Sequence, residues 1–243
     1  MRHMIARKRV VIYQSRRHLL AVVLFLLAPF LFLTFFSQIA HIAVSRLYSD
    51  LGISMFRLIG AYVIALILGW TLAIGFYKGK RSMVALPVFD VLQSFPTFAI
   101  LPLASAAFGA TNTNVIFFLV LTILWPVFFS ILSSLKLMRH DWEEAVEMAG
   151  WRGFEYVKRF LWPISVPGLI TGSIIGLGEG WGALVATEII VGVRMGLGDF
   201  FSSYSHNASI TFFGILGLLT LIFSINKLVW TPLLDWSHRI TEE

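Results

Sequence analysis

The sequence contains no cysteine, which excludes disulfides, thiolate metal ligands and cysteine nucleophiles, although it does not place the chain in a redox compartment. Charge is scarce as well: only 13% of the 243 residues are Asp, Glu, Lys or Arg, about half the usual share in a soluble domain. There is no G-x-x-x-x-G-K-[ST] phosphate loop, so no ATP-hydrolysing site of that kind is expected on this chain. The histidines His3, His18, His41, His140, His206 and His238 are scattered along the sequence. They form no HExxH or other ligand spacing, and no metal is assigned. No grouping of nucleophile, base and metal supports a membrane enzyme.

What fills the chain instead is apolar. Hydrophobic residues make up 58% of it, and at roughly 20 residues per crossing the length suits an all-α, polytopic transmembrane bundle of about six spans. The expected spans run from about Leu19 to Ala40, Ile53 to Tyr77, Met83 to Phe108, Val115 to Leu135, Ile164 to Val193 and Ile210 to Leu234. A short amphipathic connection, HIAVSRLYSDLG, is expected between the first two. Pro29 is a candidate kink in the first span. Pro87, Pro96 and Pro102 predict that the third is bent or broken, because each removes a backbone donor. The domain reading is a basic segment at 1–18, then one membrane domain at 19–240 with a polar loop at 139–163.

The formal charge of +6 would suggest nucleic acid in a soluble protein, but here the basic residues sit at the ends of apolar runs. Sixteen of the nineteen lysines and arginines fall in 1–18, 78–82, 136–159 and 227–243, leaving Arg46, Arg57 and Arg194 on the other side. By the positive-inside rule both termini and the 139–163 loop are expected in the cytoplasm, with no nucleic-acid partner.

That loop belongs to the one long polar passage, DWEEAVEMAGWRGFEYVKRFLWPISVP, Asp141 to Pro167. Asp141 and Glu144 form a D-x-x-E helix start, and Glu143, Glu144 and Glu147 lie near the positive end of the helix dipole. Gly150 suits a left-handed stop. A second short helix is expected from about Phe154 to Leu161, stopped by Pro163. Trp151, Phe154, Tyr156, Phe160 and Trp162 supply more aromatic surface than a solvated loop needs.

The order Glu144-Ala145-Val146, Gly150, then Phe160-Leu161-Trp162-Pro163 resembles the EAA loop of permease subunits in bacterial ABC importers. Val146, Phe160 and Trp162 depart from the usual alanine, isoleucine and leucine, which keeps the motif but implies a bulkier contact surface fitted to its partner. Pro96-Thr97-Phe98-Ala99-Ile100-Leu101-Pro102-Leu103 with Gly109 resembles the branch that imports nitrate, sulfonates, taurine and bicarbonate. So do Pro167-Gly168, Thr171-Gly172, Glu188 and Gly196-Leu197-Gly198. The ending VWTPLLDW resembles relatives whose two permease units are fused or paired.

The resemblance implies a type I importer permease fold in a bacterial inner membrane. It also implies a cytoplasmic ABC ATPase dimer that carries the ATP and Mg, this chain binding no cofactor itself. A second permease subunit, identical or related, and a periplasmic substrate-binding protein complete the implied set of partners, with the lipid bilayer around the permeases. Coupling would then rest on Glu143, Glu144, Ala145, Glu147, Gly150, Trp151, Phe154 and Pro163. Glu144 pairs with a basic residue of the ATPase, stabilises its own helix, or does both. The implied substrate is a small anion or sulfonate-like solute.

Gly168, Gly172, Gly176 and Gly180 repeat every four residues, a spacing that lets another backbone approach closely. They serve helix packing within the chain or a contact with the second permease. Glu179 and Glu188 are acidic groups inside an apolar span, where they are costly and face a cavity or a partner. Nine residues apart is about 900°, half a turn out of phase, so one straight helix cannot aim both into one pathway. Glu188 matches the resembled branch and Glu179 does not. Gln93, Ser94 and Thr97, near Asp90 and the broken third span, are candidate pathway residues beside the two glutamates. The competing functional class is a self-contained secondary transporter using Glu179 or Glu188 as a proton site. It would leave the loop motif unexplained, and the spans show no clear inverted repeat.

Overall fold

The computed structural model describes residues 22–138 and 140–242; the basic segment 1–18, the start of the expected first span and Arg139 lie outside the described residues. These residues are helical throughout, in the order α1 (Val22–Ile39), α2 (Val44–Phe76), α3 (Gly79–Ser94), α4 (Leu101–Phe108), α5 (Asn112–Lys136), α6 (His140–Met148), α7 (Gly153–Tyr156), α8 (Trp162–Val191), α9 (Leu197–Ser203), α10 (Ala208–Ile225) and α11 (Thr231–Glu242). Five helical stretches are long and apolar enough to cross a membrane, and the α3–α4 pair, bent by 78°, has the length and composition for a sixth crossing or a re-entrant loop.

The bend follows from the prolines. Pro96 sits in extended backbone after α3, a 3-10 turn covers Thr97–Ile100, and Pro102 occupies the first turn of α4, where a missing N–H costs nothing. The turn into α5 is fixed by Asn114, whose side-chain amide donates to Ser105 Oγ at 3.1 Å and to the Gly109 carbonyl at 3.0 Å. Thr111 caps α5 by accepting from the Asn114 N–H.

Three expected boundaries are corrected. The segment read as a connection before Ile53 is helical from Val44 and continuous with its span. Hydropathy starts the span late because Arg46, Ser49 and Asp50 are polar, yet Asp50 is buried against protein. Pro163 does not stop a helix. Val157–Leu161 forms a π-helical turn that joins α7 directly to α8, with Pro163 in its first turn, and the wider ring shifts the hydrogen-bond ladder around the missing donor. The stretch between the last two expected spans holds α9, and the expected polar tail is helical to Glu242.

The chain divides into two compact units. In the first, built from the chain up to Leu47 and Tyr204–Pro232, α1 and α10 pack through aromatic pairs, Phe25 on Phe223 at 5.5 Å and Phe36 on Phe213 at 6.1 Å. Gly217 makes room for Leu33, whose Cδ2 would lie 2.5 Å from an added Cβ.

The second unit, Tyr48–Ser203 with Leu233–Glu243, is organised on the antiparallel pair α5 and α8. Along α5 the buried residues Val115, Leu119, Ile123, Val127, Ile131 and Leu135 recur every four positions, and this row meets the glycine row of α8. A Cβ on Gly172 would lie 2.7 Å from Val127 Cα and 2.9 Å from the Pro126 carbonyl; one on Gly176 would lie 3.0 Å from Ile123 Cγ2. The glycines are therefore spent on close packing inside the chain. α2 packs on α8 through buried polar pairs, Tyr62 OH donating to Ser173 Oγ at 2.8 Å and Trp70 Nε1 to Ser165 Oγ at 3.0 Å.

Gly172→Ala is expected to overpack this contact and destabilise the protein by about 1–3 kcal/mol. Gly178→Ala, on the same helix with nothing within 4 Å of its Cβ, is expected to be neutral or slightly stabilising. Thermal midpoints of the two purified variants check this.

Candidate functional site

The polar passage folds as α6, a short polar helix, followed by α7, which opens the continuous helical stretch Gly153–Val191. α6 ends in a Schellman motif: Gly150, at φ +72°, donates its N–H to the Glu147 carbonyl at 3.1 Å, and Trp151 donates to the Val146 carbonyl at 3.4 Å. The helix begins at His140, so Asp141 lies in its first turn rather than ahead of it. Its two faces differ. Val146 is buried, whereas Glu144, Ala145, Glu147, Met148 and Gly150 are exposed. Met148 at 83%, Phe154 at 77% and Trp142 at 40% are exposed large apolar side chains of this passage.

The inner face is tied to the end of α2. Lys78 Nζ is 3.1 Å from Glu143 Oε1, and the hydroxyls of Tyr77 and Tyr156 are 2.9 Å apart. Burial, then the hydrogen bond to Tyr156, push the Tyr77 phenol up to about 12. Partial burial pulls the Lys78 ammonium down, but hydrogen bonds to Tyr77 and Glu143 outweigh it and leave it above the ordinary lysine value. Near neutral pH the Tyr77 phenol is neutral and the Lys78 ammonium charged.

Of the three residues expected to enlarge the partner surface, Val146 and Phe160 turn inward, a correction, while Trp162 stays exposed at 45%. Phe160 and Val146 are buried, Tyr156 and Phe160 stack at 5.4 Å, and Trp162 sits edge-on against Trp70 of α2 at 5.3 Å. Trp151 lies under the Arg159 guanidinium at 5.7 Å. Of the five aromatic residues, only Phe154 is largely exposed.

The candidate pathway residues separate into two places. Gln93, Thr97 and Glu179 come together around a pocket of about 380 Å³, with Thr122, Trp125 and Ser130 on its other walls. Ser94 turns back onto its own helix and donates to the Asp90 carbonyl at 2.8 Å.

Glu188 is elsewhere, fully buried at the end of α8 far from α6. It pairs with Arg57 of α2, Nη1 to Oε1 at 2.5 Å. It also accepts from Ser54 Oγ at 2.8 Å and from the Gly198 N–H at 2.8 Å. Arg57 donates further to the Met195 carbonyl at 2.9 Å and to Asn112 Oδ1 at 3.0 Å. Ser54 accepts the Leu197 N–H, and Asp50 accepts the Gly196 N–H at 3.0 Å. A buried ion pair thus pins the 192–198 loop to α2 and α8.

Asp50, Ser54, Arg57 and Asn112 were missed by the sequence reading. The spacing of the first three, i, i+4 and i+7 on one helix face, carried the signal. Gly196, at φ +126°, and Gly198 lie so close to Glu188 that a side chain on either would strike it.

Residues 61–229 match the family described as the inner membrane component of binding-protein-dependent transport systems. The nitrate import permease protein NrtB of Synechocystis sp. is 31% identical over 70% of this chain and 66% of its own length. That of Leptolyngbya laminosa is 29% identical over 71% and 64%. The taurine transport system permease protein TauC of Escherichia coli is 31% identical over 63% and 56%. The chain spans just under two thirds of the length of the nitrate permeases it matches. With more than half of its residues matched, the chain belongs to the family of inner-membrane components of binding-protein-dependent transport systems.

Proposed function

We propose that the chain is the permease subunit of an ATP-driven importer, working as a pair with an identical or related subunit in a bacterial inner membrane, with its termini and α6 in the cytoplasm. A cytoplasmic ABC ATPase dimer, holding the ATP and Mg, receives α6 in a surface groove, and a periplasmic binding protein delivers the solute. The observation that carries this reading is the outer face of α6. Trp142, Glu144, Glu147 and Met148 are all exposed on this helix, which is too short and too polar to cross a membrane, so apolar and acidic side chains together are open to a partner.

The inner face supplies the transmission. ATPase closure displaces α6, and α6 is joined to α2 through Lys78–Glu143 and Tyr77–Tyr156 and to α8 through the unbroken α7 and π turn. α8 then carries the motion to the Glu179 pocket, which it frames with α5 and the end of α3. Glu188, held by Arg57, acts as a positioning residue for the 192–198 loop rather than as a gate. Like the relatives named for nitrate and taurine import, the chain is assigned a small anion or sulfonate-like solute.

Reconstitution with its ATPase and binding protein tests this. Uptake is expected to require internal or external ATP on the ATPase side together with the binding protein, and to be absent from liposomes holding the chain alone under a proton or sodium gradient. Gradient-driven uptake by the chain alone would establish the secondary-transporter alternative instead.

A further inference from the structure

The pocket beside α3 and α8 narrows the solute class, an inference that rests on the permease reading for its biological meaning but on its own geometry for its chemistry. Glu179 is its one charged lining residue; the remaining polar groups, Gln93, Thr97, Thr122 and Ser130, are neutral, and Trp125 supplies an aromatic wall. No ion pair joins Glu179 to any described residue, and its side is open rather than packed. A carboxylate inside a membrane span does not face lipid at equilibrium; it faces water or a partner charge. No Lys, Arg or His lines the pocket, so a bare inorganic anion would find a like charge and no counter-charge.

We propose that this pocket selects a small solute carrying a protonated amine. The ammonium is held by Glu179 and the aromatic wall, since carboxylates and ring faces both attract cations. Any acidic end of the solute is hydrogen-bonded by the Thr97 and Ser130 hydroxyls and the Gln93 amide, since the Thr122 hydroxyl donates to the Phe118 carbonyl. Within the anion and sulfonate class, this favours zwitterionic amines over nitrate-like ions.

The absence of cysteine provides a direct test. Thr97→Cys and, independently, Ser130→Cys each place a single thiol in the pocket of the full chain. Each is exposed to a trimethylammonium-bearing and a sulfonate-bearing methanethiosulfonate, with rates normalised to a free thiol in solution. The cationic reagent is expected to react about tenfold or more faster, the enrichment a cleft of one charge sign produces, and Glu179→Gln is expected to bring the ratio near one. Saturating 2-aminoethanesulfonate or ethylammonium is expected to slow labelling, the two separating a zwitterionic from a simple cationic ligand, while 2-hydroxyethanesulfonate and nitrate leave it unchanged.

A ratio indifferent to Glu179→Gln, thiols that neither reagent reaches, or protection by the anions and not by the amines would overturn the proposal. Labelling needs no ATPase or binding protein, so this result is independent of whether the importer reading survives.

Discussion

Arg57→Ala is expected to destabilise the protein by about 3–5 kcal/mol, because it leaves the Glu188 carboxylate buried without its counter-charge. Glu188→Ala is expected to cost a similar amount through the orphaned guanidinium. The pair replaced together, Arg57→Met with Glu188→Leu, is expected to lose far less than the sum. Two buried charges in an apolar setting recover in mutual attraction little more than their desolvation cost, so removing both is much milder than removing one. Some loss remains, since Ser54 Oγ and the Gly198 N–H both donate to Glu188 and would keep only each other or water. Thermal midpoints in detergent of the unsubstituted chain, Arg57→Met, Glu188→Leu and the two combined form the double-mutant cycle, and a coupling of about 3 kcal/mol or more is expected. Strictly additive losses would mean that Arg57 and Glu188 do not act as a pair.

The second large effect is on function and leaves folding intact. Glu144→Lys and Gly150→Pro are each expected to reduce ATP-driven uptake to background while the permease still inserts. Glu144 is exposed on the outer face of α6, so reversing its charge alters the docking surface without disturbing a core. Gly150 acts differently. Its left-handed φ of +72° is closed to proline, and proline also lacks the N–H that bonds the Glu147 carbonyl. Nothing lies within 4 Å of a Cβ there, so Gly150→Ala is opposed only by the backbone term of about 1–2 kcal/mol and is expected to keep part of the activity. Uptake by both severe variants at the unsubstituted rate would remove α6 from the coupling route.

Much of this was legible in the chain because bilayer crossings need long apolar runs and special backbone needs special residues. The long apolar stretches, the break at Pro96 and the left-handed stop at Gly150 are all local consequences of composition or of one residue's stereochemistry. The glycine row of α8 was visible too, but whether it faced inward or a second subunit was not, since that depends on the matching row of α5 more than forty residues away. Pairings between helices were the least accessible. Arg57 and Glu188 are separated by 131 positions, and charge alone does not say which acid meets which base. Pro163 misled for a related reason: proline ends a regular α-helix, but a single π turn reroutes the bonds it breaks. The contact of Trp162 was hidden in the same way, because Trp70, the ring it meets, becomes a neighbour only once the helices assemble.

The central claim is that α6 links this chain to a nucleotide-driven partner, and it is tested most directly by following ATP hydrolysis and solute uptake together in proteoliposomes holding the chain, its ATPase and the loaded binding protein. Hydrolysis stimulated by the loaded binding protein and matched by uptake is expected with the unsubstituted chain, and neither stimulation nor uptake with Glu144→Lys. Stimulation and uptake that persist unchanged in Glu144→Lys, or uptake that proceeds without any hydrolysis, would contradict it.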